Sequence, residues 1–341
     1  IMDRMHDISA KTIEVRFKRK WRDDLLRILT RLLAGVRLPC ELIKAMLKWA
    51  VERSSAIALL EANHFDAILS TGSSVAAPNL LLGRLINAKS VVCTRPSPVG
   101  IAHFHLAILP EHMRPRHPSG NVTMTLGVPN RITPEYVDKM GKSLAERLNV
   151  SRQRIIGLLL GGNDPYYSIP PGMVSSLCDV LLDICRAIGA RLALTTSRRT
   201  DPKSEDVIKS KMLNNPLCCL SVLASESLCA LAIAPHEERE NPVPGIIGMS
   251  EVSIVTEDSF SMVCEAASSG KKIVILKVER KKGGHPKRQR VYQLLVERGY
   301  ARSSDVPSLK DTVLDFIRDP IIPGALDDAQ TAANALRNLI S

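Results

Sequence analysis

The sequence predicts an α/β protein built from two parallel-sheet domains that face a cleft. Three observations carry this. Apolar strand-like runs alternate with amphipathic helical stretches almost throughout, the pattern of βαβ layers. The alternation restarts with the apolar run 155–160, just after a polar segment (149–154) that reads as a linker. The stretch 253–276 reads as a strand, a sharp turn, a short helix and a second strand. At 341 residues the chain accommodates two domains of ordinary size. The expected division is 1–149 and 155–318, with a closing helix in 319–341 that folds back across the domains.

In chain order, 12–17 is expected as a strand because β-branched residues alternate there, followed by helices over 23–34 and 41–62. Strands are expected at 67–70, 90–93, 106–109 and 122–126, then a helix from 134 to 148 that opens on Pro134. The second half gives a strand at 155–160, a helix at 173–188 and a strand at 191–196. Further units fall at 203–213 and 229–233. Helices at 309–318 and 327–339 close the chain. In 253–276, Asp258 or Ser259 caps a helix whose apolar side carries Met262, Val263 and Ala266, and Gly270 ends it.

Composition narrows the function. The hydrophobic fraction is 45%, and no run approaches the roughly 18 uninterrupted apolar residues of a membrane span. The eight cysteines show neither Cys-x-x-Cys pairs nor zinc-like His spacing, which suits reduced thiols in a cytoplasmic setting. The net charge of +11 points to an anionic partner. Residues 1–60 hold 13 Lys or Arg against seven Asp or Glu, and 280–290 holds six cations with no carboxylate. Aromatic residues make up only 4%, too few for the stacking platforms of single-strand binders, so nucleic acid is not expected. A phosphate ligand or an anionic membrane surface fits better. The amphipathic helices of the first 60 residues, with Leu25, Leu26, Ile28, Leu29, Leu32 and Leu33 beside Arg22, Arg27 and Arg31, suit peripheral contact with an inner membrane.

Candidate ligand-binding residues lie where strands end. Gly161, Gly162 and Asn163 follow the strand at 155–160, where glycines let a backbone approach a ligand and free N–H groups receive an anion. Ser197, Arg198 and Arg199 end the next strand and offer hydroxyl and bidentate donors. Asp258, Ser259, Ser261 and Glu265 sit at the turn and helix after 253–256. Gly72 and Ser73 repeat the strand-then-glycine pattern in the first half, ahead of a helix. His103, His105, His112 and His117 cluster, but with only Glu111 as a carboxylate nearby no metal is expected. Glu111 and His112, just past a strand, are the expected catalytic base pair facing the cleft.

Together these segments resemble a known family. Ser261-x-x-x-Glu265-Ala266-x-x-x-Gly270 is similar to the donor-holding helix of nucleotide-sugar glycosyltransferases of the GT-B class, whose Glu contacts the ribose hydroxyls. The set Leu160-Gly161-Gly162-Asn163, Thr196-Ser197-Arg198-Arg199-Thr200, Asn241-Pro242-x-x-Gly245 and Val255-Thr256-x-Asp258-Ser259 resembles the mitochondrial-fission family of the elongated-mitochondria type. So do Pro110-Glu111-His112 and the run from Leu294 to Arg302. The resemblance covers about residues 65–305. It implies a GT-B-like pair of Rossmann-like domains whose first strand-turn precedes residue 1. A nucleoside diphosphate sugar is then the expected substrate, with no cofactor and with transfer to an envelope precursor. In plants the family is implicated in recruiting a dynamin-like protein to a membrane, so a non-catalytic scaffold is the alternative. Pro129-Asn130 stands where the family usually carries Leu-His. Glu257 and Asp258 also stand where a GT-B helix faces the donor diphosphate. At ~4 Å a carboxylate and a phosphate repel by about 1 kcal/mol in water and roughly 4 kcal/mol at an effective dielectric near 20. Arg198, Arg199 or Lys271 must offset that repulsion.

Overall fold

The structure, a computed structural model, describes residues 1–5, 8–117, 119–224 and 241–341. Its contacts divide it into two compact units, Ile1–Pro129 with Asp328–Ser341, and Asn130–Asp327.

The first unit opens on helices α1 (Lys20–Leu32), α2 (Cys40–Ala50) and α3 (Arg53–Leu60). Then come β1 (Ala67–Thr71), α4 (Ala76–Ile86), β2 (Lys89–Cys93), β3 (Leu106–Pro110) and β4 (Val122–Thr125). The strands lie parallel in the order β1-β2-β3-β4. Side chains alternate across a strand, so Val92, Ala107 and Leu109 join the core beneath α1–α4, while Val91, Cys93, Leu106 and Ile108 face the other way. The single helix expected over 41–62 is two. Its break follows from pairing: Lys18 N–H donates to Ala50 O and Glu52 N–H to Arg16 O, which holds 50–52 extended. The strand expected over 12–17 is reduced to the one bridge between Phe17 and Val51. The broad leucine face expected on α1 also divides, with Leu26 buried and Leu25, Ile28 and Leu32 exposed.

The second unit contains α5 (Pro134–Arg147), β5 (Arg154–Leu160), β6 (Tyr167–Ser168), α6 (Pro171–Ile188), β7 (Ala190–Thr196), α7 (Pro202–Met212) and β8 (Cys218–Val222). It continues with α8 (Pro242–Met249), β9 (Val252–Thr256), α9 (Phe260–Ala267), β10 (Ile273–Leu276), β11 (Glu279–Arg280), α10 (Pro286–Glu297), β12 (Arg302–Ser304) and α11 (Leu309–Arg318). The unit expected at 229–233 lies outside the described residues. Six parallel strands run β12-β10-β9-β5-β7-β8. Read from β8, that is the 3-2-1-4-5-6 order of doubly wound nucleotide-binding sheets. On one face Ile156, Leu158 and Leu160 of β5 pack with Val174, Leu177 and Leu181 of α6. Proline opens α5, α6, α7, α8 and α10, where its missing N–H costs nothing.

α5 packs against α8 within the second unit, so this unit begins about twenty residues before the expected linker. The two helices meet through glycines. A Cβ on Gly141 would stand 2.3 Å from the carbonyl carbon of Gly248, and one on Gly248 would stand 1.8 Å from Val137 O. The closing helix α12 (Asp328–Ile340) belongs to the first unit. Ala332, Ala333 and Leu336 cover the outer face of β2 and β3, and the buried Asp328 carboxylate accepts Leu126 N–H at 2.9 Å and Gly127 N–H at 2.6 Å. Among the described residues no helix is long and apolar enough to cross a membrane.

The backbone contact between α5 and α8 makes a direct prediction. Gly141→Ala should lower unfolding stability by about 1–3 kcal/mol, the usual scale of overpacking. Gly172→Ala, at a position with nothing within 4 Å, should leave stability unchanged or slightly raised. Urea unfolding of both variants checks this.

Candidate functional site

The six-stranded sheet changes winding direction between β5 and β9, and open parallel sheets bind ligands outside the strand carboxyl ends at such a point. The loops that leave β5, β7 and β9 there hold one another tightly. Gly161 N–H donates to Thr256 Oγ1 and Gly162 N–H to Asp258 Oδ2, each at 2.8 Å. The Thr200 hydroxyl donates to Gly161 O at 2.6 Å, and Asn163 N–H to Arg199 O at 3.0 Å. Neither glycine has room for a side chain. A Cβ on Gly161 would stand 2.2 Å from Asp258 Oδ2, and one on Gly162 2.0 Å from Arg199 O. The close approach expected from a ligand is thus made by the protein's own loops. Asn163 likewise turns inward, its Oδ1 accepting Ile169 N–H at 2.9 Å.

The two carboxylates after β9 are both buried and both engaged. Glu257 receives the Arg280 fork at 3.0 and 2.8 Å and Val278 N–H at 3.0 Å. Asp258 Oδ2 receives Arg199 Nη2 at 3.1 Å besides Gly162 N–H. Burial pushes the Asp258 carboxyl above its ordinary value, against the pull of Gly162 N–H, the Thr256 hydroxyl and Arg199. Burial prevails because the Arg199 side chain is itself well exposed, so water screens its charge. Each carboxylate at the helix turn has a cation in contact, which reduces the repulsion expected toward a phosphate. Of the three cations expected to offset it, Arg199 does so. Lys271 is taken by Asp138 at 2.6 Å, and Arg198 is exposed without a side-chain partner among the described residues.

Four contributors, Asp164, Arg280, Lys281 and Arg288, lie outside the candidates drawn from sequence. Asp164 Oδ1 accepts Tyr166 and Tyr167 N–H at 2.7 and 2.8 Å, and its Oδ2 accepts Arg288 Nη1 at 3.3 Å. Lys281 Nζ donates to Asp164 O at 3.0 Å. Arg280, Lys281 and Arg288 all belong to the basic run 280–290, so that run is partly spent on internal carboxylates and carbonyls. The signal was present as charge, but a strand-distant Asp or Glu partner has no sequence spacing to reveal it.

What remains unspent at this edge is the start of α9. Ser259 makes no capping bond through its side chain, and Ser261 is exposed. The N–H groups of Ser261 and Met262 have no acceptor among the described residues, which leaves donors and the positive end of the helix dipole facing outward. On the second turn, the half-buried Glu265 carboxylate has no hydrogen-bond or ion-pair partner among the described residues. Burial alone pushes its pKa upward.

In the first unit, Gly72 takes φ +94°, a backbone that favours glycine, and its N–H reaches Cys93 O at 3.4 Å. Ser73 Oγ donates to Arg95 O at 3.4 Å, and Ser74 Oγ to Asp23 Oδ2 at 2.8 Å. Glu111 and His112 form the short turn Glu111–Met113 at the end of β3. Both Glu111 oxygens are held by Arg114, at 2.7 and 2.6 Å. His105 Nδ1 accepts Ser90 N–H at 3.0 Å, and burial first, then Lys89, holds its pKa below the ordinary value.

No curated protein matches the chain. Among solved structures, UDP-GlcNAc 2-epimerase from Neisseria meningitidis bound to UDP-GlcNAc is 12% identical with a TM-score of 0.52, over 99% of this chain and 93% of that one. A second UDP-N-acetylglucosamine 2-epimerase is 11% identical at a TM-score of 0.50, over 90% and 79% of the two chains. At such identity the likeness establishes the fold, a GT-B-like α/β architecture with parallel sheets. The model of one family, mitochondrial fission ELM1, matches residues 4–340. The chain belongs to the mitochondrial fission ELM1 family.

Proposed function

We propose that the second unit binds a nucleoside diphosphate sugar at the carboxyl edge of its sheet, over β5 and β9. The observation that carries this is Glu265, a half-buried carboxylate without a partner among the described residues, on the helix that opens at that edge. Leaving a carboxylate desolvated and unpaired costs stability, and a ribose would repay it with two hydroxyl donors. The diphosphate falls to the N–H groups of Ser261 and Met262, which have no acceptor among the described residues, and to the hydroxyls of Ser259 and Ser261, with Arg198, exposed after β7, as the cation of this reading. Gly161, Gly162, Asn163, Ser197, Arg199 and Asp258 act one step back, holding the loops at that edge. The N. meningitidis epimerase of the same fold is described with UDP-GlcNAc bound, which supports the ligand class.

The finer form of the reading is transfer of the sugar to an envelope precursor by a cytoplasmic protein peripheral to an inner membrane. Gly72 and Ser73 would then receive an anionic acceptor group, and His112 would take the acceptor proton. Arg114 engages both Glu111 oxygens, so in this reading the base is His112 rather than Glu111. The second reading is a scaffold that keeps the fold and its ligand without turnover. Release of free sugar or glycosylated lipid from a UDP-sugar by the purified protein separates the two.

Glu265→Ala should weaken UDP affinity by roughly 1.5–3 kcal/mol, the scale of hydrogen bonds to a charged group. Calorimetric titration showing unchanged affinity with the fold intact rejects the assignment. The pH dependence has a defined sign. A carboxyl raised in the folded state holds its proton more tightly there, so it lowers stability at neutral pH, and that cost fades as pH falls through the raised value toward the ordinary 4.5. Glu265→Gln should therefore melt higher than the parent at neutral pH, with the difference closing on acidification. UDP binding to the parent should weaken over the same window.

A further inference from the structure

Helix α1 is patterned inside out. Its inward side carries the buried Asp23 and Thr30 along with Leu26. Its outward side carries Trp21, Leu25, Ile28 and Leu32, which are 52%, 37%, 48% and 72% exposed. The spacings of four, three and four residues stack these side chains into one continuous stripe along the helix. Scattered exposed apolar residues are ordinary on a surface, but a contiguous stripe of this kind marks an interaction face.

The charges around the stripe decide what covers it. Each carboxylate exposed on α1 or α2 is matched by a cation of its own helix, Asp24 by Arg27 and Glu41 by Lys44. That leaves Arg19, Lys20, Arg31, Arg37 and Lys48 exposed, none with a carboxylate partner among the described residues. Arg22 lies 5.2 Å from the ring centres of both Trp21 and Trp49, so one end of the stripe is an aromatic and guanidinium cluster suited to a water–hydrocarbon boundary. Two copies meeting on this face would bring two sets of unpaired cations together. A bilayer of anionic lipid instead accepts both the stripe and its rim.

We propose that α1 is the membrane-docking element, lying on an anionic bilayer with Trp21, Leu25, Ile28 and Leu32 in the headgroup boundary and the five cations over lipid phosphates. This deepens the peripheral-membrane part of the reading above by naming the surface, and it stands apart from the nucleotide site. The stripe residues are not part of the core, so they can be changed without emptying it.

Flotation of the intact chain with phosphatidylcholine vesicles, with and without phosphatidylglycerol, tests the proposal. Binding should require phosphatidylglycerol and fall as salt rises. The double variant Ile28→Glu/Leu32→Glu should lose roughly tenfold or more in vesicle affinity, the scale of burying one aliphatic side chain. Lys20→Ala should lose about fivefold, the scale of one surface cation. Both should keep the parent melting temperature and its UDP response, so that failure of docking and failure of nucleotide binding are read separately. Three outcomes overturn the proposal. They are no binding to anionic vesicles at low salt, binding unchanged in the double variant, or a dimer in sedimentation that the double variant abolishes.

Discussion

The second unit depends on the pair of buried carboxylates that end β9. Glu257 reaches toward the β10 side through Arg280 and Val278 N–H, and Asp258 reaches toward the β5 and β7 loops through Gly162 N–H and Arg199. Between them they lock four loops into one edge. Removing a charge from water is costly, and it is tolerated here because each carboxylate gains a guanidinium and a backbone N–H in exchange. The locked edge then presents the start of α9 in a fixed orientation, which is what a helix N-terminus needs to hold an anion without reordering.

Charge at this edge is thereby sorted. The acidic side chains nearest the α9 turn are internal and paired, while Arg198, the first-turn N–H groups and Glu265 keep their bonding capacity for something else. Glu265 is the informative exception. A half-buried carboxylate with no partner to offset its burial lowers stability, and that is the ground on which the nucleotide reading rests. Lys271, by contrast, is paired with Asp138 within the same unit.

Much of the fold was legible in the sequence. The strand at β5, the β9-turn-α9-β10 unit and the helix α11 follow from apolar periodicity and turn residues, which act locally. What was not legible depends on partners remote in sequence. The break between α2 and α3 is caused by pairing with residues 16–18, and no proline or glycine marks it. The membership of α5 in the second unit is set by Gly141 meeting Gly248, a contact between glycines more than a hundred residues apart. α8 and α10 each open on a proline after a residue that caps the helix, a signal that their weak amphipathic pattern masked. At the site, the sequence marks Gly161-Gly162 as a place of close approach to a ligand, but it could not say that Asp258 and Arg199 occupy the space beside the pair. The inverted α1 is the same lesson, because a helix with apolar residues on two sides gives no clue which side faces the core.

The central claim is that Glu265 and the start of α9 form a nucleotide seat. The most direct test is a crystal structure of the protein with UDP. The account predicts ribose hydroxyls within about 3 Å of the Glu265 carboxylate, with the diphosphate on the Ser261 and Met262 N–H groups. A nucleotide seated elsewhere, or bound at this edge with Glu265 turned away, would contradict it.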